Sequence, residues 1–109
     1  MANPQVDNGQ FTRIANDILD HLALTRIPGE ARQVFDAILR KTYGFNKKED
    51  HIALTQLGNA TGLSRQTICK ALSKLKLMNL VTVTQKGNVT KLGNTYSVNK
   101  DYESWKPLP

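Results

Sequence analysis

A single cysteine, Cys69, occurs among the 109 residues, which excludes an internal disulfide and suits a reducing cytoplasm. Histidine is as scarce: His21 and His51 are the two present, and with Cys69 they form no metal-ligand spacing. No metal and no cofactor are expected. No apolar run approaches the roughly 18 residues that suggest a membrane-spanning helix, and the N-terminus shows no basic-then-apolar signal pattern. There is no phosphate-cradling glycine loop, no Ser/His/Asp set and no carboxylate pair to propose as a catalytic centre, so an enzyme is not expected.

The most informative shortage is of negative charge. Residues 51–100 contain no aspartate or glutamate, yet hold Arg65, Lys70, Lys74, Lys76, Lys86, Lys91 and Lys100. Residues 1–50 balance seven basic against seven acidic residues, so the net charge of +6 belongs to the second half of the chain. Such a field of one sign suits a surface that meets a polyanion. An acidic membrane could use the same field, but the helix described next lacks the aromatic and leucine-rich face of an interfacial anchor.

What is present points to one domain with a single modest core: 109 residues, 39% hydrophobic and 22% charged. Its organising stretch is Thr55 to Leu75. Thr55 is the expected N-cap of a first short helix, with Leu57 and Ala60 as its buried positions. Thr61-Gly62 ends that helix, because glycine adopts the left-handed turn at little cost. Ser64 is placed to cap a second helix through its hydroxyl. In that helix Ile68, Ala71, Leu72 and Leu75 fall at i, i+3, i+4 and i+7, one apolar stripe. At 100° per residue the opposite face carries Gln66, Lys70 and Ser73, flanked by Arg65, Cys69 and Lys74. An apolar back and a basic, amide-bearing front, entered through a glycine turn, form the helix-turn-helix pattern. A plain helical hairpin with a solvated lysine face is the simpler alternative.

The remaining segments fit around this pair. Residues 1–10 are polar and are expected to form a loose arm. Thr12 is the expected cap of a helix over 12–24, with Ile14, Ile18, Leu19, Leu22 and Leu24 covering more than one narrow stripe. A helix over about 30–42 presents Val34, Phe35, Ile38 and Leu39, with Gly44 expected at its C-terminal end. Lys47-Lys48-Glu49-Asp50 neutralises itself and reads as solvated surface. Residues 51–54 suggest a short strand. Val81-Thr82-Val83-Thr84 and residues 94–99 alternate with period two and read as a hairpin. Its loop, Gln85 to Gly93, would carry Lys86 and Lys91. The order of elements is that of a winged helix-turn-helix: mainly α with a small β-hairpin. Residues 11–100 would form the domain, and 101–109 the start of a linker whose Trp105 tucks back.

Three runs carry a family resemblance: Phe11-Thr12-Arg13-Ile14-Ala15-Asn16, Arg40-Lys41-Thr42-Tyr43-Gly44-Phe45-Asn46-Lys47-Lys48-Glu49-Asp50 and Leu63-Ser64-Arg65-Gln66-Thr67. They closely resemble the N-terminal domain of phage replication protein O, the lambdoid origin-binding initiator family, over roughly residues 9–99. The first two runs are distinctive, whereas the third is shared by many regulators. The resemblance implies a module in the bacterial host cytoplasm that binds repeated double-stranded sites in a phage or prophage origin, as a dimer on inverted half-sites. A helicase-loading partner is expected only through a C-terminal region that this sequence does not contain. A transcriptional regulator of the same fold is the main rival, and a winged domain used for protein contacts is another.

The residues expected to meet DNA follow from the helix faces. Gln66, Lys70 and Ser73, with Arg65 and Cys69 beside them, would enter the major groove. Ser64 and Thr67 at the helix N-terminus, with Lys74, Lys86 and Lys91, would hold phosphates. Cys69 is expected to act as a small packing residue rather than a reactive thiol.

Overall fold

The computed structural model describes residues 1–4, 6, 9–84 and 93–108. At its centre lies the helix Gly29–Thr42, here α2. Ala31, Val34, Phe35, Ala37, Ile38, Leu39 and Thr42 are all buried along it, a stripe wide enough to be covered on two sides. Thr42 reaches that depth because its hydroxyl donates to the Ile38 carbonyl at 2.8 Å, which satisfies a polar atom that burial would otherwise penalise.

The helix before it, α1, spans Asn16–Leu24. It starts four residues later than the sequence suggests, with Ala15 at the N-cap position and no side-chain cap. Thr12 instead lies against the end of α2, where a Cβ added to Gly44 would sit 3.3 Å from its hydroxyl. Ile18 and Leu22 are buried and Ile14 packs partly on the core, while Leu19 and Leu24 face outward. Most of the apolar breadth of this segment therefore serves its own domain.

Helix α2 ends in a short 3-10 turn, Tyr43–Phe45, and the left-handed residue is Asn46 (φ 55°), not Gly44. The Asn46 N–H donates to the Tyr43 carbonyl and the Lys47 N–H to the Thr42 carbonyl, at 3.0 and 2.9 Å. This is a Schellman-type closure, for which asparagine is a common substitute for glycine.

Strand β1, Glu49–Ile52, comes two residues earlier than expected. Ala53 and Leu54 are taken up by the start of helix α3, Leu54–Thr61. Its N-cap is Ala53, not Thr55, because the Gln56 side chain reaches back to accept from the Ala53 N–H at 2.8 Å. That is half of a capping box, formed without a capping hydroxyl. Leu57 is buried as expected, but Ala60 is exposed.

Helix α4, Arg65–Leu77, leads into β2, Val81–Thr84, and β3, Asn94–Val98. The sheet order is β1-β3-β2, antiparallel throughout. Glu49 pairs with Ser97 at one end of the β1–β3 ladder and Ile52 with Asn94 at the other. Val81, Ile52, Tyr96 and Val98 turn one face of the sheet into the core, where α2 touches α3, α4, β1 and β3. The hairpin of the sequence reading is thus two strands of a three-stranded sheet.

Residues after β3 fold back. The Trp105 indole N–H donates to the Asn99 carbonyl at 2.9 Å, the Lys106 N–H donates to the Met78 carbonyl, and Tyr102 stacks on His21 with ring centroids 3.7 Å apart. No helix among the described residues is long and apolar enough to cross a membrane.

Candidate nucleic-acid interface

Helices α3 and α4 are joined by a turn of three residues whose geometry is fixed locally. Gly62 takes φ 74°, ψ 10°, and its N–H donates to the Gly58 carbonyl at 2.8 Å. The Thr61 hydroxyl donates to the Leu57 carbonyl and accepts from the Leu63 N–H, at 2.7 and 3.2 Å. Ser64 then caps α4 with an extended backbone, its Oγ accepting from the Thr67 N–H at 3.2 Å. A left-handed glycine followed two residues later by a hydroxyl cap stops one helix and starts the next within three residues.

The packing of α4 separates its two faces. Ile68, Ala71, Leu72 and Leu75 are buried, as the spacing predicts. Ser64, Arg65, Gln66, Cys69, Lys70, Ser73 and Lys74 are exposed. Cys69 is among the exposed residues, so it is not the packing residue that the sequence suggested. Its position one turn from Arg65 and Ser73 carries it to the outer face. Thr67 is half-buried, and its Oγ1 accepts from the Ser64 hydroxyl at 2.9 Å. The two hydroxyls expected at a phosphate therefore first bond each other, and the Ser73 hydroxyl turns inward to the Cys69 carbonyl at 3.1 Å.

Charge on this face is uncompensated. The ion pairs among the described residues are Arg32–Asp36 and Lys47–Asp50, at 3.0 and 3.4 Å. Neither involves α4, and residues 51–100 hold no carboxylate that could reach it from nearby in sequence. Arg65, Lys70, Lys74 and Lys76 thus share one helix without an internal counter-charge. Lys86 and Lys91, the other expected cations, lie outside the described residues.

Beside α4 runs a groove of about 280 Å³, lined on the helix side by Arg65, Cys69, Ser73 and Lys76 and on the sheet side by Asn94 and Tyr96. Lys76 and Asn94 were not anticipated here. Lys76 could have been found from its spacing, one turn beyond Ser73 on the same flank; Asn94 arrives only through strand pairing. Neither the Tyr96 hydroxyl nor Asn94 Oδ1 has a well-formed hydrogen bond among the described residues. Burial pushes the Tyr96 phenol above its ordinary value of 10.0; the neighbouring Asn94 amide pulls it part of the way back, and Cys69 adds to the rise.

Fold and site together define a small, mainly helical domain that presents one capped, unneutralised basic helix beside a three-stranded sheet. The family model described as bacteriophage replication protein O matches residues 3–105, and the chain belongs to that family. It is similar to "Replication protein 15" of Enterobacteria phage phi80, 32% identical over 100 residues covering 92% of this chain and 32% of that relative. It also resembles "DNA replication protein gp18" of Salmonella phage P22, 31% identical over 102 residues, 94% of this chain and 34% of the relative. "Replication protein O" of Escherichia phage lambda is 31% identical over 100 residues, 92% of this chain and 27% of that protein. The chain spans about a third of the length of these curated relatives. No solved structure matches it significantly.

Proposed function

We propose that this chain is a winged helix-turn-helix module that recognises double-stranded DNA at a phage or prophage replication origin and takes part in initiating replication. The observation that carries this is the outward face of α4: Arg65, Gln66, Lys70 and Lys74 are exposed with no acidic partner among the described residues. Membership of the replication protein O family supplies the biological setting.

In this mechanism α4 enters the major groove. Gln66 pairs with an adenine edge, and Arg65 or Lys70 with guanine O6 and N7, while Cys69 and Ser73 line the same face. Ser64 and Thr67, at the positive end of α4, and Lys74 on its flank contact backbone phosphates. Lys86 and Lys91, in the sequence between β2 and β3, add further charge. Residues 11–100 act as the DNA-binding domain, residues 1–10 as an arm and 101–109 as the start of a linker. Two copies meet on inverted half-sites. A winged-helix transcriptional regulator would use the same face on promoter DNA.

Gel shifts at one fixed salt concentration separate these uses. Tighter binding to phage-origin repeats than to promoter DNA or random duplex supports the replication role. Equal affinity for all three removes it, and a preference for promoter DNA transfers the chain to the regulator class.

A further inference from the structure

The sequence treats Lys47-Lys48-Glu49-Asp50 as a self-neutralised turn, and the fold alters its surroundings. Arg13, from the extended segment before α1, and Lys100, just past β3, come to the same place. Together with Lys47 and Lys48 they line a pocket of about 330 Å³ that also takes in Tyr43 and Asn46 and includes no carboxylate in its lining. All four cations belong to exposed residues. Lys47 has a partner in Asp50 at 3.4 Å, but that pair leaves Arg13, Lys48 and Lys100 without an ion pair among the described residues.

The pocket is built rather than incidental. The Schellman-type turn at Asn46 fixes the direction in which the chain leaves α2 and so where Lys47 and Lys48 emerge. The Lys100 ammonium sits 5.9 Å from the centre of the Tyr43 ring, a cation–π arrangement that holds it over the pocket wall. The Tyr43 hydroxyl is buried and has no hydrogen-bond partner among the described residues. Burial raises its pKa above 10.0, so it remains a neutral donor at physiological pH. Three chain segments thus converge on four cations and an orphaned phenol. Asp50 offsets Lys47 alone, so the other three cations repel one another, and an anion would relieve that cost.

Its place in the fold sets it apart from α4. The pocket lies at the Glu49/Ser97 end of the β1–β3 ladder, whereas Arg65 and Asn94 share the groove at the Ile52/Asn94 end. From Asn94 to Lys100 the chain can span up to roughly 20 Å.

We infer that this pocket is a second binding site for DNA phosphates, separate from the α4 face and able to hold backbone that α4 does not touch. It rests on the DNA-binding role proposed for α4. The phosphate comes either from flanking turns of the same duplex or from a second duplex. A phosphate suits the chemistry: Arg13, Lys48 and Lys100 offer its oxygens charged donors that no carboxylate of the described residues has taken. An acidic peptide would leave most of its length without the apolar contacts that docking uses.

The test compares the full chain with its Lys48→Ala/Lys100→Ala variant by fluorescence anisotropy across a salt series. Two random-sequence duplexes serve as probes, one of about one helical turn and one of about three. A further pair of three-turn duplexes, labelled with donor and acceptor dyes, reports bridging. Circular dichroism melts confirm that the variant folds, as expected for two exposed lysines. If flanking phosphate is the ligand, the log–log salt slope on the long duplex falls by about two in the variant, with the short duplex unaffected. If a second duplex is the ligand, energy transfer between duplexes is lost instead. Unchanged slope and unchanged bridging overturn the inference. A Lys70→Ala/Lys74→Ala variant separates the two levels. If it leaves the short duplex unaffected, the α4 role fails; if it weakens that binding while the pocket variant changes nothing, only the second site fails.

Discussion

Gly93 shows how narrowly single residues are specified. It takes φ 93°, and a Cβ there would fall inside contact distance of the Ile52 carbonyl oxygen and 2.6 Å from Ala53 Cα. Gly58, half-buried on α3, would place a Cβ 3.6 Å from the Leu63 carbonyl oxygen and 3.7 Å from Ile68 Cδ1, which is ordinary contact. Gly93→Ala should therefore destabilise by at least about 2 kcal/mol, through both strain and backbone collision. Gly58→Ala should stabilise by about 0.5–1 kcal/mol, because alanine suits a helix interior better. Urea unfolding of both variants checks the pair, and equal effects would refute the contrast. Tyr96 gives a second residue-scale prediction. Its hydroxyl is buried without a good partner, so Tyr96→Phe should be neutral or stabilising by up to about 1 kcal/mol at pH 7. The folded pKa of Tyr96 lies above 10.0, so the unfolded chain gives up its proton first. Stability is then complete below pH 10 and falls as the pH climbs above it. Tyr96→Phe should flatten part of that alkaline loss in thermal melts, with Tyr43 supplying the rest in the same sense.

At the scale of elements, α4 was legible because its two signals are local. The Ser64 cap bonds the Thr67 N–H three residues on, and the stripe Ile68, Ala71, Leu72 and Leu75 repeats at helical spacing and is buried. Ser64→Ala should cost about 1 kcal/mol of stability in denaturant titration, and an unchanged midpoint would show the cap to be idle. The starts of α1 and α3 were misplaced for the opposite reason. Thr12 and Thr55 are good capping residues by type, but Thr12 packs at Gly44, and the Gln56 side chain satisfies the Ala53 N–H before Thr55 is reached. The capping hydroxyls lost to tertiary contacts and to a competing side chain. The pocket of Arg13, Lys47, Lys48 and Lys100 was hidden because its parts lie far apart in sequence and only strand pairing and the 11–15 segment join them. For Lys86 and Lys91, which lie outside the described residues, the expectation stays compositional. Lys86→Ala or Lys91→Ala should weaken binding to every DNA sequence alike and lower the log–log salt slope by about one each; an unaltered slope would mean that these lysines face solvent.

For the whole molecule, pairing of two copies and reading of sequence are the issues. The outward residues of α1 are Leu19, 44% exposed, and Leu24, 82% exposed. Ile18 and Leu22 are committed to the core, and the C-terminal residues cover His21 through Tyr102. A contact built on two leucines would be weak in solution and would gain strength only where DNA holds two copies close. Sedimentation of the free chain should accordingly show monomer, and two correctly spaced half-sites should fill cooperatively; independent filling would leave the chain a monomeric reader. Base reading by α4 is tested by binding-site selection from a randomised duplex pool, performed with the wild-type chain and with Gln66→Ala and Lys74→Ala. Gln66→Ala should lose discrimination at particular base pairs, by roughly 1–3 kcal/mol, while Lys74→Ala should keep the selected sequence and bind it more weakly. A selected sequence left intact by Gln66→Ala, with all duplexes weakened equally, would contradict base reading by α4.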